Sequence, residues 1–364
     1  MKLANDVLAT MGLVVLPEKT KQYSTAHRKL HKDVALLISN QLELTDAVNL
    51  ALSDKFYWEK TGPRVRERVR AYAQEVIEHL VLGRFEAGKA MIQKIPKSLF
   101  WKAKVKKDYA GHSIVGADGK GVHPYEVALL NGHVELAQSL ARLFTDKNLG
   151  MPEGAAEKER LRQHTRQLPQ GFFVLDETTY TVDYFKTKMQ AAVEGDAEAL
   201  AQLREDFKPR EIRAGTPMRH QALVNAHLAF AAKWEEWDRR LPHRRMVWNT
   251  FICTILRNVS AREAQECARG LNYVKEWHEH VPDSFQLRDE SGVFFPLPVG
   301  NNGLGFNLDF DYYWGAGHGC FFSTSLCVDS HRVTLWGVYE LKSRALAKLN
   351  EPEDRDSKSW CTLC

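Results

Sequence analysis

No cysteine precedes Cys253 in this chain of 364 residues, and the other five, Cys267, Cys320, Cys327, Cys361 and Cys364, follow it. Cysteines crowded toward one end of a large chain do not make a disulfide framework, so reduced thiols are expected. Charge of one sign is also missing: 50 Lys and Arg against 46 Asp and Glu leave a formal charge of +4. That balance gives no reason to expect a nucleic-acid partner, which calls for basic charge concentrated on one face. No apolar run approaches the roughly 20 residues that cross a bilayer. The first residues, MKLANDVLATMGLVVLPEK, are broken by Asn5 and Asp6 and do not read as a secretory signal. There is no GxGxxG, Walker loop, GxSxG or HExxH, so no cofactor and no metal site is expected. The glycines of GNNGLG near residue 300 read as turns.

Helical periodicity is abundant. Residues 30–58 read as short helices, with Val34, Leu37, Ile38 and Leu42 on one face and Val48, Ala51 and Leu52 on another; Thr45 or Asp46 is placed to cap the second. Residues 64–82 read as an amphipathic helix, with Val65, Val69, Tyr72, Val76 and Leu80 inward and Gly83 at its end. Arg64, Arg66, Arg68 and Arg70 alternate along it, so they point in different directions and suit a solvated, salt-bridged surface. Further helical stretches are read over 181–204, 217–240, 244–258 and 260–280, with Trp234, Trp237, Trp248 and Trp277 as core residues. The polar segment 151–177 reads as a linker or exposed helix. From about 285 the segments VFFPLPVG, GFNLDFDYYW, GCFFSTSLCV and RVTLWGVYEL read as short strands and turns, followed by a helix over 339–349 and a polar tail over 351–364. The expected fold is mainly α: a helical region over 1–62, helical hairpins over 63–150, a helical region over 178–284, and a smaller α+β, aromatic-rich region over 285–350.

Two segments resemble known interaction modules. Leu30, Asp33, Val34, Ile38, Leu42, Leu44, Asp46, Leu50, Leu52, Lys55 and Trp58 fall where an F-box has its pattern, with His31 where that family usually has Pro. An F-box is a helical trio that docks on the Skp-type adaptor of cullin–RING ubiquitin ligases. The resemblance implies a docking edge made by Val34, Leu37, Ile38, Leu42, Leu50 and Trp58, buried by a partner groove. The competing reading is an ordinary helical subdomain whose Leu and Ile face its own core.

Residues 118–140 resemble one ankyrin repeat: Asp118, Gly121, Pro124, Ala128, Gly132, His133, Glu135 and Leu140 stand in its register, while His123, Tyr125 and Glu126 replace the usual Thr, Leu and His. Pro124 suits a first helical turn, and Gly132 suits a left-handed turn between helices. Leu82–Glu86 and Ala191–Glu198 echo the helix–Gly–helix rhythm. Gly83, Gly132 and Gly195 are spaced more widely than the period of about 33 residues in a regular ankyrin array. A degenerate, interrupted array and several unrelated hairpins both fit that spacing.

The last residues, Cys361-Thr362-Leu363-Cys364, look like a prenylation box with Cys361 as the acceptor. A redox pair is the alternative, and two cysteines are too few for a closed zinc site. His318 and Cys320 in GAGHGCFF are two apart, as a thiol enzyme's base and nucleophile on one strand face would be. No wider hydrolase pattern surrounds them, and the chain is expected to be non-catalytic. The combination of F-box-like helices, ankyrin-like hairpins, lipidation box and acidic EPED tail resembles the ankyrin/F-box effectors that intracellular bacteria of the Legionella kind inject through type IV secretion. That resemblance implies a protein delivered to the host cytoplasm, where it recruits a ubiquitin ligase and holds a host protein. It implies membrane association only through a lipid on Cys361. The rival readings are an effector enzyme using Cys320 and His318 and a plain ankyrin-type scaffold.

Overall fold

The computed structural model describes residues 40–269 and 325–349, apart from 54, 117, 168–178, 214–218, 234–235, 238–242, 244–245 and 257. Most of these residues are helical, as the periodicity predicts. Helix α1 (Leu44–Ser53) packs on α2 (Lys55–Val81), which turns into α3 (Phe85–Lys94). A 3-10 turn (Pro96–Phe100) leads through a looped segment containing strand β1 (Ser113–Val115) to α4 (Pro124–Leu130) and α5 (Val134–Ala141). The short α6 (Asp146–Leu149) precedes α7 (Ala155–Gln167), which packs on α4.

Spacing explains the first layer. Leu44, Ala47, Val48 and Ala51 bury one face of α1, and Val65, Val69, Val76 and Leu80 bury the expected face of α2. Asp46 lies inside the first turn of α1, where a carboxylate favours the positive helix end. Arg68 Nη2 donates to Leu42 O at 2.8 Å and fixes how the chain enters α1. Helix α2 begins nine residues before the predicted start at 64 and runs through Pro63. That proline removes one backbone bond; the buried apolar face that follows holds the helix together.

One turn chemistry recurs. The α2–α3, α4–α5 and α8–α9 hairpins each close on a left-handed glycine: Gly83 (φ 74°), Gly132 (φ 62°) and Gly195 (φ 94°). At each glycine the N–H reaches the carbonyl three residues back (Leu80, Leu129, Ala192), and the next N–H reaches the carbonyl five back (His79, Ala128, Ala191). This pair of bonds satisfies carbonyls that a helix end leaves open. The first two hairpins stack in order, α2 on α4 and α3 on α5.

The second layer starts with α8 (Val182–Val193) and α9 (Ala197–Asp206), then β2 (Glu211–Arg213) and α10 (His220–Lys233). A π-helical turn (Trp248–Ile252) runs into α11 (Cys253–Leu256), then α12 (Ala261–Arg269). Strands β1 and β2 pair in parallel, Ser113 with Glu211, Ile114 with Ile212 and Val115 with Arg213. Bridges Ala103–Val122 and Val105–Ile114 add the preceding segment. The Tyr109 hydroxyl, 2.6 Å from Leu256 O and 2.8 Å from Val259 O, ties this loop to the second layer. Trp237 and Trp248 are buried, as expected of core aromatics. Among the described residues, buried apolar side chains from Leu44 to Leu346 form one cluster.

Two segments differ from expectation. Helix α7, inside the segment expected to link or lie exposed, buries Ala156, Arg160, Gln163, His164 and Gln167. Its buried face is polar, which hydrophobic periodicity does not detect. Residues Ser325–Lys348 form helix α13, so RVTLWGVYEL is helical rather than a strand. Helix α13 packs on α10 and α5, and this tertiary support overrides the local preference of its β-branched and aromatic residues.

A Cβ on Gly121 would sit 2.8 Å from the backbone N, C and O of Ala103, whereas one on Gly119 (φ +69°) meets nothing within 4 Å. Gly121→Ala should therefore cost roughly 2 kcal/mol or more, because backbone must move. Gly119→Ala should cost only about 1 kcal/mol of backbone strain. Urea denaturation of the two variants checks the order.

Candidate functional site

The ankyrin-like motif is a scaffold in three dimensions. Pro124 opens α4, and the His123 N–H donates to Glu126 Oε2 at 2.8 Å, covering a helix-start donor. Burial pushes the Glu126 carboxyl up, but His123 and the Arg166 guanidinium outweigh it and hold it below the usual range. Arg166 also bonds Glu126 Oε1, fastening α7 to the start of α4. The His133 ring stands edge-on to Phe85 at 4.6 Å and accepts the Leu136 N–H at 3.3 Å. Gly121, Pro124, Ala128, Gly132 and His133 are all buried. Asp118 is exposed; its carboxylate accepts the Lys120 N–H and pairs with Lys102 Nζ, each at 3.0 Å. These residues shape the hairpin, and of the six only Asp118 is exposed.

Of the six residues of the expected docking edge, only Leu42 has a described side chain. Val34, Leu37 and Ile38 lie outside the described residues, as do the side chains of Leu50 on α1 and Trp58 on α2. Leu42 is half-buried against the chain's own core. Cys320, His318 and Cys361 also lie outside the described residues. Among the described residues, no group of three or more His, Cys, Asp and Glu side chains could hold a metal. No described helix is long and apolar enough to cross a membrane.

Sequence reasoning missed a buried ionic network where α5, α10, α12 and α13 meet. Glu266 lies between Arg262 Nε at 3.2 Å and Lys342 Nζ, which bonds its other oxygen. His220 Nδ1 is 2.7 Å from Glu263 Oε1. Arg262 also approaches Glu135 at 3.8 Å, and Glu135 lies 3.1 Å from His133. Burial pushes the Glu263 carboxyl up, but His220, Lys342 and the Ser260 N–H together hold it below the usual range. Ser260 starts α12 with a reciprocal cap: its N–H donates to Glu263 Oε2 at 2.9 Å, and its Oγ accepts the Glu263 N–H at 3.2 Å. The Ser260 hydroxyl donates to Asn131 O at 2.7 Å, reaching the glycine turn of the second hairpin. The Ser-x-x-Glu spacing of residues 260–263 was the available signal.

Arg262 and His220 are 1% exposed and Glu263 is 2% exposed, while Glu135 lies at the rim of the network with 41% of its side chain exposed. The role of the network is to join elements, and it pins α13 over the stacked hairpins.

Breaking the pair at Lys342 should leave Glu266 short of a cation in a dry site. Lys342→Met is expected to destabilise by about 3 kcal/mol and to make residues 325–349 cleave faster in limited proteolysis than in the unsubstituted chain. Acid should act on a second buried group. Burial holds the His227 imidazole down at about 4, against an ordinary 6.5, while its Nδ1–H donates to Leu223 O at 2.9 Å. The neutral ring's contribution is complete above pH 6.5 and is lost as pH falls toward 4, because the unfolded chain takes up that proton first. The loss at pH 5 should be about 2 kcal/mol. His164, held at about 4 by burial and by Arg160, acts in the same direction. His227→Leu should flatten the fall in urea midpoint between pH 7 and pH 5. No protein-family model, curated protein or solved structure matches this chain.

Proposed function

We propose that this chain is a non-catalytic adaptor: a scaffold of helical hairpins that holds one protein and recruits a ubiquitin ligase through residues 30–58. The observation that carries this reading is the recurrence of one glycine turn in three hairpins, two of them stacked helix on helix in order. Such units bury their apolar faces against neighbours and leave turns and outer edges for a partner. The buried state of the motif residues supports a scaffold, since its interior is occupied by packing and buried ion pairs. In this reading the docking edge is Val34, Leu37, Ile38, Leu42, Leu50 and Trp58, of which Leu42 is half-buried. The acidic tail and Cys361 are the features that fit delivery to a host cell and attachment there.

The experiment is to mix the purified chain with a Skp-type adaptor and its cullin and follow co-elution, with Val34→Asp as the control. A complex that the variant loses, while its circular dichroism stays helical, is the expected result. Absence of a complex at high micromolar protein excludes ligase recruitment and leaves a binding scaffold alone.

A further inference from the structure

The segment between the 3-10 turn and α4 carries exposed lysines that no acid among the described residues pairs. The chain from 103 to 105 is bridged through Ala103 to Val122 and through Val105 to Ile114, and a bend follows at Lys106. Ala103 and Val105 are buried. Alternate residues of a paired strand point to opposite faces, so Lys102 and Lys104 share the outward one, and Lys106 stands at the bend. Lys107 follows them, and Lys120 sits on the turn that closes the loop. Lys104, Lys106, Lys107 and Lys120 are all exposed. Asp118 pairs with Lys102 and also acts on Lys120. Among the described residues, Lys104, Lys106 and Lys107 have no ion-pair partner. The nearest acid in sequence, Asp108, is buried and turned inward, accepting the Ala110 and His112 N–H groups at 2.8 and 2.9 Å. On the far strand Glu211 is engaged by Arg213 at 2.9 Å.

We infer that this lysine face is a docking surface for an anionic lipid bilayer. The composition of the face chooses among polyanions. Protein interfaces are depleted in Lys and enriched in aromatic residues and Arg, and the aromatic residues of this segment, Trp101 and Tyr109, are buried at 2% and 3% exposure. The same burial removes the stacking platform that single-stranded nucleic acid needs. Lysine is a hydrated point charge on a flexible stem, suited to diffuse attraction rather than bidentate reading. A cluster of about four lysines is of the size that a phosphatidylserine surface attracts. The backbone bridges hold the segment in place, so the charges are displayed without ordering a loop on contact. This surface is independent of the ligase reading and requires no lipid on Cys361.

The test is flotation of the full, unlipidated chain with vesicles of phosphatidylcholine alone and of phosphatidylcholine mixed with phosphatidylserine. The expected result is binding only to the mixed vesicles, weakened about tenfold or more by raising salt to physiological strength. The same loss is expected in Lys104→Glu/Lys106→Glu/Lys107→Glu at low salt. The triple Gln variant gives the same reading if charge reversal disturbs folding, and circular dichroism of each variant reports that. Binding to phosphatidylcholine alone, no binding at low salt, or equal binding by folded variants overturns the proposal. Equal affinity for duplex DNA, lost in the same variants, overturns the lipid assignment.

Discussion

Glu266 is a carboxylate removed from water, and the arrangement of the second layer follows from the need to balance it. Burying an isolated carboxylate is costly enough that the chain must bring cations to it. Arg262, one helical turn earlier, supplies the first and is buried as well. Lys342 supplies the second from a helix far along the chain. Once Lys342 is fixed, α13 is fixed against α10 and α5, and the end of the hairpin stack is covered. The reciprocal Ser260–Glu263 cap sets the start of α12, and so the direction in which Arg262 and Glu266 point.

The hairpins rest on a different economy. A helix that must reverse leaves carbonyls open, and a left-handed glycine closes them within the turn itself. Because the chain repeats this device, α2–α3 and α4–α5 present similar faces and stack without a separate solution for each. Arg166 and Glu126 then lock α7 across the start of α4. The second layer joins through backbone pairing, β1 with β2, and through Tyr109.

Much of the apolar architecture was legible. Val65, Val69, Val76 and Leu80 bury the face their spacing assigns to them. Gly83, Gly132 and Gly195 are the turn residues their contexts suggest, and all three have positive φ. What was not legible is polar. Helix α7 has a buried face of Arg160, Gln163, His164 and Gln167, and no scale that equates burial with apolarity finds it. Gln163 Nε2 donates there to Leu99 O and Arg160 Nη1 to Leu349 O, contacts between residues whose meeting only the fold determines. Helix α13 misled for the opposite reason: its β-branched and aromatic residues suit strands, while its helical state depends on α5 and α10. Of the candidate site, the hairpin frame could be read in advance, but the inward placement of its motif residues could not.

The contacts that close the molecule join residues far apart in the chain. Ser113 pairs with Glu211, the Tyr109 hydroxyl meets the carbonyls of Leu256 and Val259, and Arg160 bonds Leu349 O. Contacts of that span form after the local ones, because the chain entropy of closing them is lost before they return anything. During synthesis the glycine-turn hairpins, being local, can form as they emerge, while Tyr109 and the paired edge of β1 wait for the second layer. Until residues 325–349 have been made, the hairpin stack lacks the cover that α13 gives to α5. A cell making this protein would meet that species before it met the finished one.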